Sequence, residues 1–489
     1  MSRVVVVGLD GFNPDLVRQW KEDLPSLSRI MAEGIYGNLE STVPPITPQA
    51  WTCAQSSKNP GQFGFWDFSY RKDFSYGEPL LISSRDVKVD TLYKILPRFG
   101  KKVAIINVPV TYPPPEIPSG YSMSCFLTPS TDKAFTFPPD LRNEIERVAG
   151  PYLLDASMEG VNFRQLDKEV VLKRIYDMDE QKFKLIEHFY LEKKCDYIFG
   201  VIMGTDRMPH LFYRYFDEKH VRYEPHPRYG AALEEHYKFC DQKLGELRQK
   251  LDGNTALAVH SDHSVQRLDG RINLNEWLAQ EGYLTLINRP SSPTPLRNCQ
   301  VDWSKTKAWA TGYTGQIYLN MKGREKEGIV SPGDYHALLE ELREKLRSLP
   351  GEKGQPLDTE TFKRVEVHSG PYSKYGPDLF IYFDQCRYNI SEMMGYDSIY
   401  SYDTGKGADD GGHGRTGFFA MAGTGVPALG ELRGISLLDV APTVLSLLGL
   451  PIPEDMEGRP LLLKKADGAY SKEDEKEVKE RLRGLGYLG

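Results

Sequence analysis

At 489 residues the chain can hold one large α/β core with a substantial insertion, or two to three domains. A composition 40% hydrophobic and 26% charged is that of a soluble globular protein, with no apolar run of bilayer-spanning length. The formal charge of −7 is mild and offers no basic stripe for a polyanion, so positive potential for an anionic ligand must arise locally.

Val4-Val5-Val6-Val7-Gly8-Leu9 opens the chain as a β-rich run that ends on Asp10. The run starts after Ser2-Arg3 with no secretory signal ahead of it, and a cytoplasmic protein is expected. An amphipathic stretch from Pro14 to Ala32, closed by Gly34, predicts a helix, and residues 36–43 predict an extended segment. Pro44-Pro45-Ile46-Thr47-Pro48 breaks that pattern before a short helix at 48–57. Residues 60–90 show weak periodicity. A βα-like unit returns at 91–110, with Leu92–Leu96 helical and Val103–Val108 a strand. The 111–165 segment is proline-rich and irregular, and a long helix follows over 167–193.

Tyr197–Met203 is a second strand, leading through Gly204-Thr205 into Asp206. After a helix at 230–251, Ala256–Val259 is a third, leading through His260-Ser261 into Asp262-His263. Short runs of this kind predict buried strands of a parallel sheet, whose carboxyl edge is where ligands sit. Between Asp262 and His413 lie roughly 150 residues, more than a single crossover needs. They carry a helix at 332–348 and strands at 364–368 and 378–383, and predict an inserted cap. Gly417–Ala422 and a helix over 436–448 return to the core, and the Lys/Glu-rich tail from Ser471 predicts a surface helix. Six cysteines, at 53, 125, 195, 240, 299 and 386, form no C-x-x-C pair, which argues against a disulfide framework and a cysteine zinc knuckle.

One acid at a strand edge is ordinary; three of them, with His210, His263 and His413, indicate a metal centre. Asp206 and His210 stand four apart, so on a helical turn they share a face at about 5–6 Å, a bite suited to one divalent ion. The alternative is an acid N-cap beside an unrelated histidine. Pro209 predicts that this is a first turn. Asp262 and His263 are adjacent and can aim at one ion only where their strand has ended. His413 sits in Asp409-Asp410-Gly411-Gly412-His413-Gly414-Arg415, whose glycines permit close backbone approach. Asp409 and Asp410 are read as solvated loop acids or partners of a ligand, not as ligands. Thr47, ahead of Pro48 and a helical run, falls at an N-cap. It is either simply a cap, or a hydroxyl held where helix N–H groups can seat a phosphate and a neighbouring metal can ionise it. Trp66, Phe68, Tyr70, Trp303, Trp309 and Tyr313 are either core and cap packing or a surface for stacking a base.

These residues resemble the alkaline phosphatase superfamily, most closely its type I phosphodiesterase/nucleotide pyrophosphatase branch. The matching pieces are Val7-Gly8-Leu9-Asp10-Gly11, Pro44 through Thr52, Thr205-Asp206-x3-His210, Ser261-Asp262-His263 and Gly411-Gly412-His413-Gly414, with Leu438 through Thr443 also family-like. They occur in the family's order. The resemblance implies two divalent metals, usually zinc and sometimes manganese or iron. Asp206, His210 and His413 would hold one; Asp10, Asp262, His263 and the Thr47 oxygen would hold the other. It further implies phosphorylation of Thr47 followed by hydrolysis of that ester. Two positions depart: Ala50 replaces an asparagine that commonly contacts phosphate, and Ser264 replaces the glycine that usually follows the Asp-His pair. Arg207 and Arg415, beside ligands, are candidates to supply a substrate contact in its place.

The expected fold is an alkaline-phosphatase-like three-layer α/β/α sandwich with a mostly parallel central sheet. Its core spans 1–263 and 406–465, with irregular excursions around 60–90 and 111–165; the inserted cap is 264–405, partly returning to the core, and 466–489 forms the tail helix. The expected activity is metal-dependent hydrolysis of small phosphodiester or nucleotide-like substrates, with no stable nucleic-acid complex and no membrane span. The competing activities are a phosphomutase of the cofactor-independent phosphoglycerate mutase type, and a phosphomonoesterase, phosphonate hydrolase or sulfatase. A sulfatase needs a Cys/Ser-x-Pro-x-Arg site, which Thr47-Pro48-Gln49-Ala50-Trp51 does not match. A non-catalytic binding protein with a dead site is disfavoured because every expected ligand is present.

Overall fold

Strand β1 (Arg3–Leu9) is buried along nearly its whole length, and its alternation splits the core in two. Val5, Val7 and Leu9 enter one apolar cluster, Val4 and Val6 the other, which is what a central strand covered on both faces requires. Each fully buried valine contributes about 1.5–3 kcal/mol relative to exposure. The computed structural model describes residues 2–158, 160–402 and 409–462, together with helical positions 479, 481 and 483. The expected tail helix at 466–489 otherwise lies outside the described residues.

The central sheet has nine strands. Besides β1 they are β2 (Ile35–Glu40), β3 (Val103–Ile106), β4 (Tyr121–Met123), β5 (Thr136–Phe137), β6 (Tyr197–Ile202), β7 (Thr255–His260), β14 (Thr416–Gly423) and β15 (Gly430–Ser436), in the order β15-β2-β14-β7-β1-β6-β3-β4-β5. The run from β7 to β4 is parallel, while β14 joins β2 and β7 antiparallel. Helices cover both faces. On one side lie α1 (Pro14–Gln19), α2 (Pro25–Glu33), α4 (Lys168–Leu191), α5 (Gly204–Phe216) and α6 (Ala232–Lys250); on the other lie α3 (Thr47–Ser56) and α8 (Val440–Leu447). This is the expected three-layer sandwich.

Apart from a short antiparallel pair, Ser69–Tyr70 with Leu80–Leu81, the strands outside the central sheet belong to the span between Asp262 and Thr416. Strand β8 (Ser264–Arg267) pairs antiparallel with β13 (Gly411–Gly414). A four-stranded antiparallel sheet, β9 (Ala308–Thr311), β10 (Gly315–Leu319), β11 (Glu360–Lys363) and β12 (Leu379–Tyr382), packs with α7 (Tyr335–Arg347) around an apolar cluster of its own. The tip between β9 and β10 carries Tyr313 back to the core, where its ring lies 4.8 Å from that of His413.

Several elements differ from expectation, for local reasons. The amphipathic stretch after β1 is two helices, because Pro25 starts a new one behind a 3-10 turn at Lys21–Asp23. Residues 364–367 form a helical turn instead of a strand, with the Glu366 carboxylate accepting the Lys363 N–H at 2.8 Å. The last core helix begins only at Val440, since Asp439 caps a 3-10 turn through Ser436 N–H at 2.9 Å. The irregular 111–165 segment contains β4, β5 and a helix, Leu141–Ala149, all too short for periodicity to register.

Candidate metal centre and active site

Strand register places the three acids. Val4 pairs with both Tyr197 and Ala256, so β1, β6 and β7 end level with one another at their carboxyl edges. Asp10 follows β1 directly, Asp206 lies in the first turn of α5, and Asp262 stands two residues past β7. The pairing of Val265 with His413 then folds the glycine-rich loop over the same edge. Gly411 is needed there for space: a Cβ would lie 2.6 Å from a Val265 methyl and 3.1 Å from the Pro209 backbone. Pro209 sits inside α5, not in its first turn. The helix continues past it, and the His210 carbonyl accepts the Asp410 N–H from the glycine-rich loop at 3.0 Å.

Two clusters result, Asp206/His210/His413 and Asp10/Asp262/His263, all six residues buried. In the first, Asp206 Oδ1 faces His210 Nε2 at 3.3 Å and His413 Nε2 at 3.7 Å. In the second, His263 Nε2 faces Asp262 Oδ2 at 3.2 Å and Asp10 Oδ1 at 3.9 Å. The His263 and His413 rings stack at 3.8 Å, joining the clusters into one site.

Each histidine keeps Nδ1 occupied elsewhere: on Asp409 Oδ1 at 2.6 Å for His210, on the Pro45 carbonyl at 2.9 Å for His413, and on the Ser264 carbonyl at 3.1 Å for His263. That arrangement sets the tautomer that leaves Nε2 free as a lone-pair donor. The acids are divided in the same way. Trp51 Nε1–H donates to Asp10 Oδ2 at 2.7 Å, Gly11 N–H to Asp262 Oδ1 at 3.1 Å, and Arg207 to Asp206 Oδ2 at 2.5 Å. The opposite oxygens, Asp10 Oδ1, Asp206 Oδ1 and Asp262 Oδ2, are buried with no hydrogen-bond partner among the described residues. Three orphaned carboxylate oxygens and three oriented imidazoles form a donor set suited to divalent cations.

Thr47 lies against the second cluster, its Oγ1 3.2 Å from His263 Nε2. It is the first helical residue of α3, with Ile46 in the capping position, so the structure corrects its expected place as N-cap. Its hydroxyl turns to the histidine, and Ile46 in the capping position offers no side-chain hydrogen bond to this helix start. The first-turn N–H groups and the positive end of the helix therefore border the same space.

Charge is finely divided here. Burial, reinforced by Asp206, pushes the Asp10 carboxyl well up, and burial with the nearby Asp10 does the same to Asp262. Burial holds His413 down to about 4, and burial with His413 depresses His263. For His210 burial works downward, but Asp409 and Asp206 outweigh it and raise the imidazole to about 9. For Asp206 burial works upward and is outweighed by His210 and Arg207, leaving it well below the carboxylate range. Asp10 and Asp262 thus resist ionising and His263 and His413 resist protonation, whereas Asp206 and His210 stabilise each other's charged forms.

A cavity of about 320 Å³ opens onto the centre, lined by Thr47, Asp206, His210 and His413, and on its outer walls by Phe68, Phe126, Phe163 and Tyr313. Arg207 borders it, tied to Asp155 at 2.9 Å. Arg415 is not among the lining residues; it pairs with Glu360 and lies over the Phe362 and Tyr382 rings. Of the other aromatics, Trp303 and Trp309 pack with Tyr76, Trp66 against His368, and Tyr70 bonds Asp86.

Sequence reasoning did not single out Trp51, although its position four residues after Thr47 puts both on one helical face. Asp409 and Asp410 are buried partners, not solvated acids: Asp409 orients His210, and Asp410 takes Arg214 through Nε at 2.9 Å and its terminal nitrogen at 2.6 Å. Asn162 and Arg164, also on the cavity wall, come from the irregular segment and gave no signal. A third group, Asp179, His236 and Cys240, is accounted for by helix capping. Asp179 Oδ1 accepts Gly204 N–H at 3.1 Å and Oδ2 meets His236 Nε2 at 2.9 Å, fixing the start of the helix that carries Asp206 and His210.

Compared with known proteins, residues 4–412 match the family described as Type I phosphodiesterase / nucleotide pyrophosphatase. No curated protein sequence matches the chain. Among solved structures it is similar to murine ectonucleotide pyrophosphatase/phosphodiesterase 5, an inactive threonine-to-alanine variant in complex with AMP. The identity is 15%, covering 93% of this chain and 96% of that one, with a TM-score of 0.52. It is also similar to phosphonoacetate hydrolase from Sinorhizobium meliloti 1021 in complex with phosphonoacetate. There the identity is 13%, covering 91% of this chain and 96% of that one, with a TM-score of 0.55. Both likenesses bear on the fold, which is alkaline-phosphatase-like.

Proposed function

Because this chain belongs to the type I phosphodiesterase/nucleotide pyrophosphatase family and is a hydrolase of phosphoester bonds, we propose that it cleaves small phosphodiester or nucleotide-like esters through attack by Thr47. One observation carries this reading: three unpartnered carboxylate oxygens and three free imidazole nitrogens converge beside the Thr47 hydroxyl, which lies 3.2 Å from His263. The mixed nitrogen and oxygen donors suit two divalent ions, with zinc favoured over manganese or iron. Asp206, His210 and His413 would hold one, and Asp10, Asp262, His263 and Thr47 the other. Such cations would supply the Lewis acidity that lets Thr47 lose its proton to water and that offsets charge gathering on the phosphoryl oxygens.

The chain's own groups do the rest. The start of α3 directs its N–H groups and dipole toward the anion. Arg207, fixed by Asp155 and Asp206, stands where it can contact a phosphoryl oxygen that Ala50 cannot reach. The Thr47 oxygen bonds to phosphorus as the P–O bond to the leaving group breaks, and the departing alkoxide takes a proton from water. Water then cleaves the phosphothreonine, returning the hydroxyl and releasing phosphate or a phosphomonoester. The aromatic walls accept an apolar or aromatic ester partner. Cytoplasmic residence is also part of the proposal, supported by six cysteines that are all free thiols.

A substrate panel tests the activity: p-nitrophenyl phosphate, bis-p-nitrophenyl phosphate, a phosphonate ester and a sulfate ester, each with zinc or manganese added. Phosphate-ester hydrolysis with the diester favoured is expected. Turnover of the sulfate ester alone, or retention of phosphate on an isomerised substrate, would overturn it.

A further inference from the structure

Behind the cavity wall, positive charge exceeds negative. Asp409 and Asp410 are both 1% exposed, and four guanidinium groups converge on them. Arg164 and Arg271 share Asp409 Oδ2 at 3.3 and 3.1 Å, Arg222 takes the Asp409 carbonyl at 3.1 Å, and Arg214 takes the Asp410 carboxylate. His210 already uses the other Asp409 oxygen. Among the described residues, Asp409 and Asp410 thus face four guanidinium cations, with the His210 imidazole shared between Asp409 and Asp206. The imbalance shows in the hydrogen bonding: the Nε–H groups of Arg164, Arg222 and Arg271 are buried with no acceptor among the described residues. Of these three arginines, only Arg164 lines the cavity that holds Thr47. Its neighbour Asn162 does too, with its Oδ1 fixed on Arg164 N–H at 3.0 Å so that its NH2 group is the donor end.

We propose that Arg164, with Asn162, receives a second anionic group of the substrate. The substrate class is then a phosphate ester whose ester partner carries its own carboxylate or phosphate, beside the phosphoryl group undergoing attack. A guanidinium with one weak shared ion pair and an unmet Nε–H has the planar fork that such an anion fits, and an arriving anion restores the local charge balance. The inference rests on the reading of Thr47 as the attacking group, and it makes Arg164 a specificity residue.

The test compares two phosphodiesters on the metal-loaded enzyme, methyl 4-carboxyphenyl phosphate and the same compound with its carboxylate capped as a methyl ester. Wild type is expected to favour the carboxylate at least tenfold in kcat/KM, although the methyl ester has the better leaving group. Arg164→Gln is expected to collapse that ratio and Arg164→Lys to restore part of it. Arg271→Gln removes a cation from the same Asp409 oxygen outside the cavity and is expected to keep the ratio. The inference falls if wild type cleaves both esters without preference, or if Arg271→Gln collapses the ratio as fully as Arg164→Gln. Neither of those results touches Thr47. Both esters inert with zinc or manganese would instead take down the Thr47 reading, and this inference with it.

Discussion

Replacing Asp409 by asparagine separates the two metal positions. The Asp409 carboxylate lies 2.6 Å from His210 Nδ1 and spreads its other oxygen over Arg271 and Arg164 at 3.1 and 3.3 Å. Asparagine keeps the shape and can still accept from Nδ1–H, but it removes the charge that makes the imidazole a better donor. Loss of a partner of this kind typically weakens metal binding about 10–100-fold, which is about 1.4–2.7 kcal/mol at 1.36 kcal/mol per decade. Alanine would go further, because Arg164 and Arg271 would lose a buried partner at a stability cost of about 3–5 kcal/mol. The assay is competition with a chromophoric zinc chelator, with His210→Ala and His263→Ala identifying which binding step belongs to which cluster. In Asp409→Asn the step at Asp206/His210/His413 is expected to weaken 10–100-fold while the step at Asp10/Asp262/His263 holds. Unchanged affinity at both steps would refute the idea that Asp409 tunes His210.

Thr47→Ala is expected to abolish turnover with metal content near normal by elemental analysis; retained activity would remove Thr47 as nucleophile. Asp262→Ala and His263→Ala each take away a ligand and are expected to lower metal occupancy, so unchanged stoichiometry would count against the assignment. Gly204→Ala is expected to destabilise the fold by about 1–3 kcal/mol in denaturant unfolding, since its Cβ would fall 1.9 Å from the Asp179 carboxylate that caps α5; wild-type stability would show that this capping contact yields freely. Lys182 is buried and held down to about 7 from 10.5 by desolvation, partly offset by Asp179 and Asp155. The unfolded chain therefore binds the extra proton between those values, and stability rises with pH across that window, by up to about 1.4 kcal/mol per unit. Lys182→Met is expected to flatten this rise relative to wild type in unfolding titrations from pH 7 to 9; identical slopes would contradict it.

The parts legible in the sequence were those where local pattern and chemistry agree. Val4–Leu9, Tyr197–Ile202 and Thr255–His260 are apolar on both faces because they lie inside a parallel sheet, and the acids just beyond them mark its working edge. The long helices at 168–191 and 232–250 lie close to their expected bounds because each is long enough for periodicity to register. What stayed hidden depends on tertiary contact. Asp409 reads equally as a solvated loop acid or as a ligand's partner, and only its contact with His210 decides for the partner. Arg164 and Asn162 sit in a proline-rich stretch without period, and only packing brings them to the cavity. Arg415 follows the glycine-rich motif in sequence, yet its side chain leaves toward Glu360 on β11. Pro209 signals a helix start, yet the Asp206–His210 bite forms with proline inside the helix.

The most direct test of the paired metal centre is an anomalous-difference map from crystals grown with zinc. Two peaks are predicted, one among Asp206, His210 and His413 and the other among Asp10, Asp262 and His263, within bonding reach of the Thr47 oxygen. Zinc found instead at Asp179, His236 and Cys240, or a single peak remote from Thr47, would contradict the account.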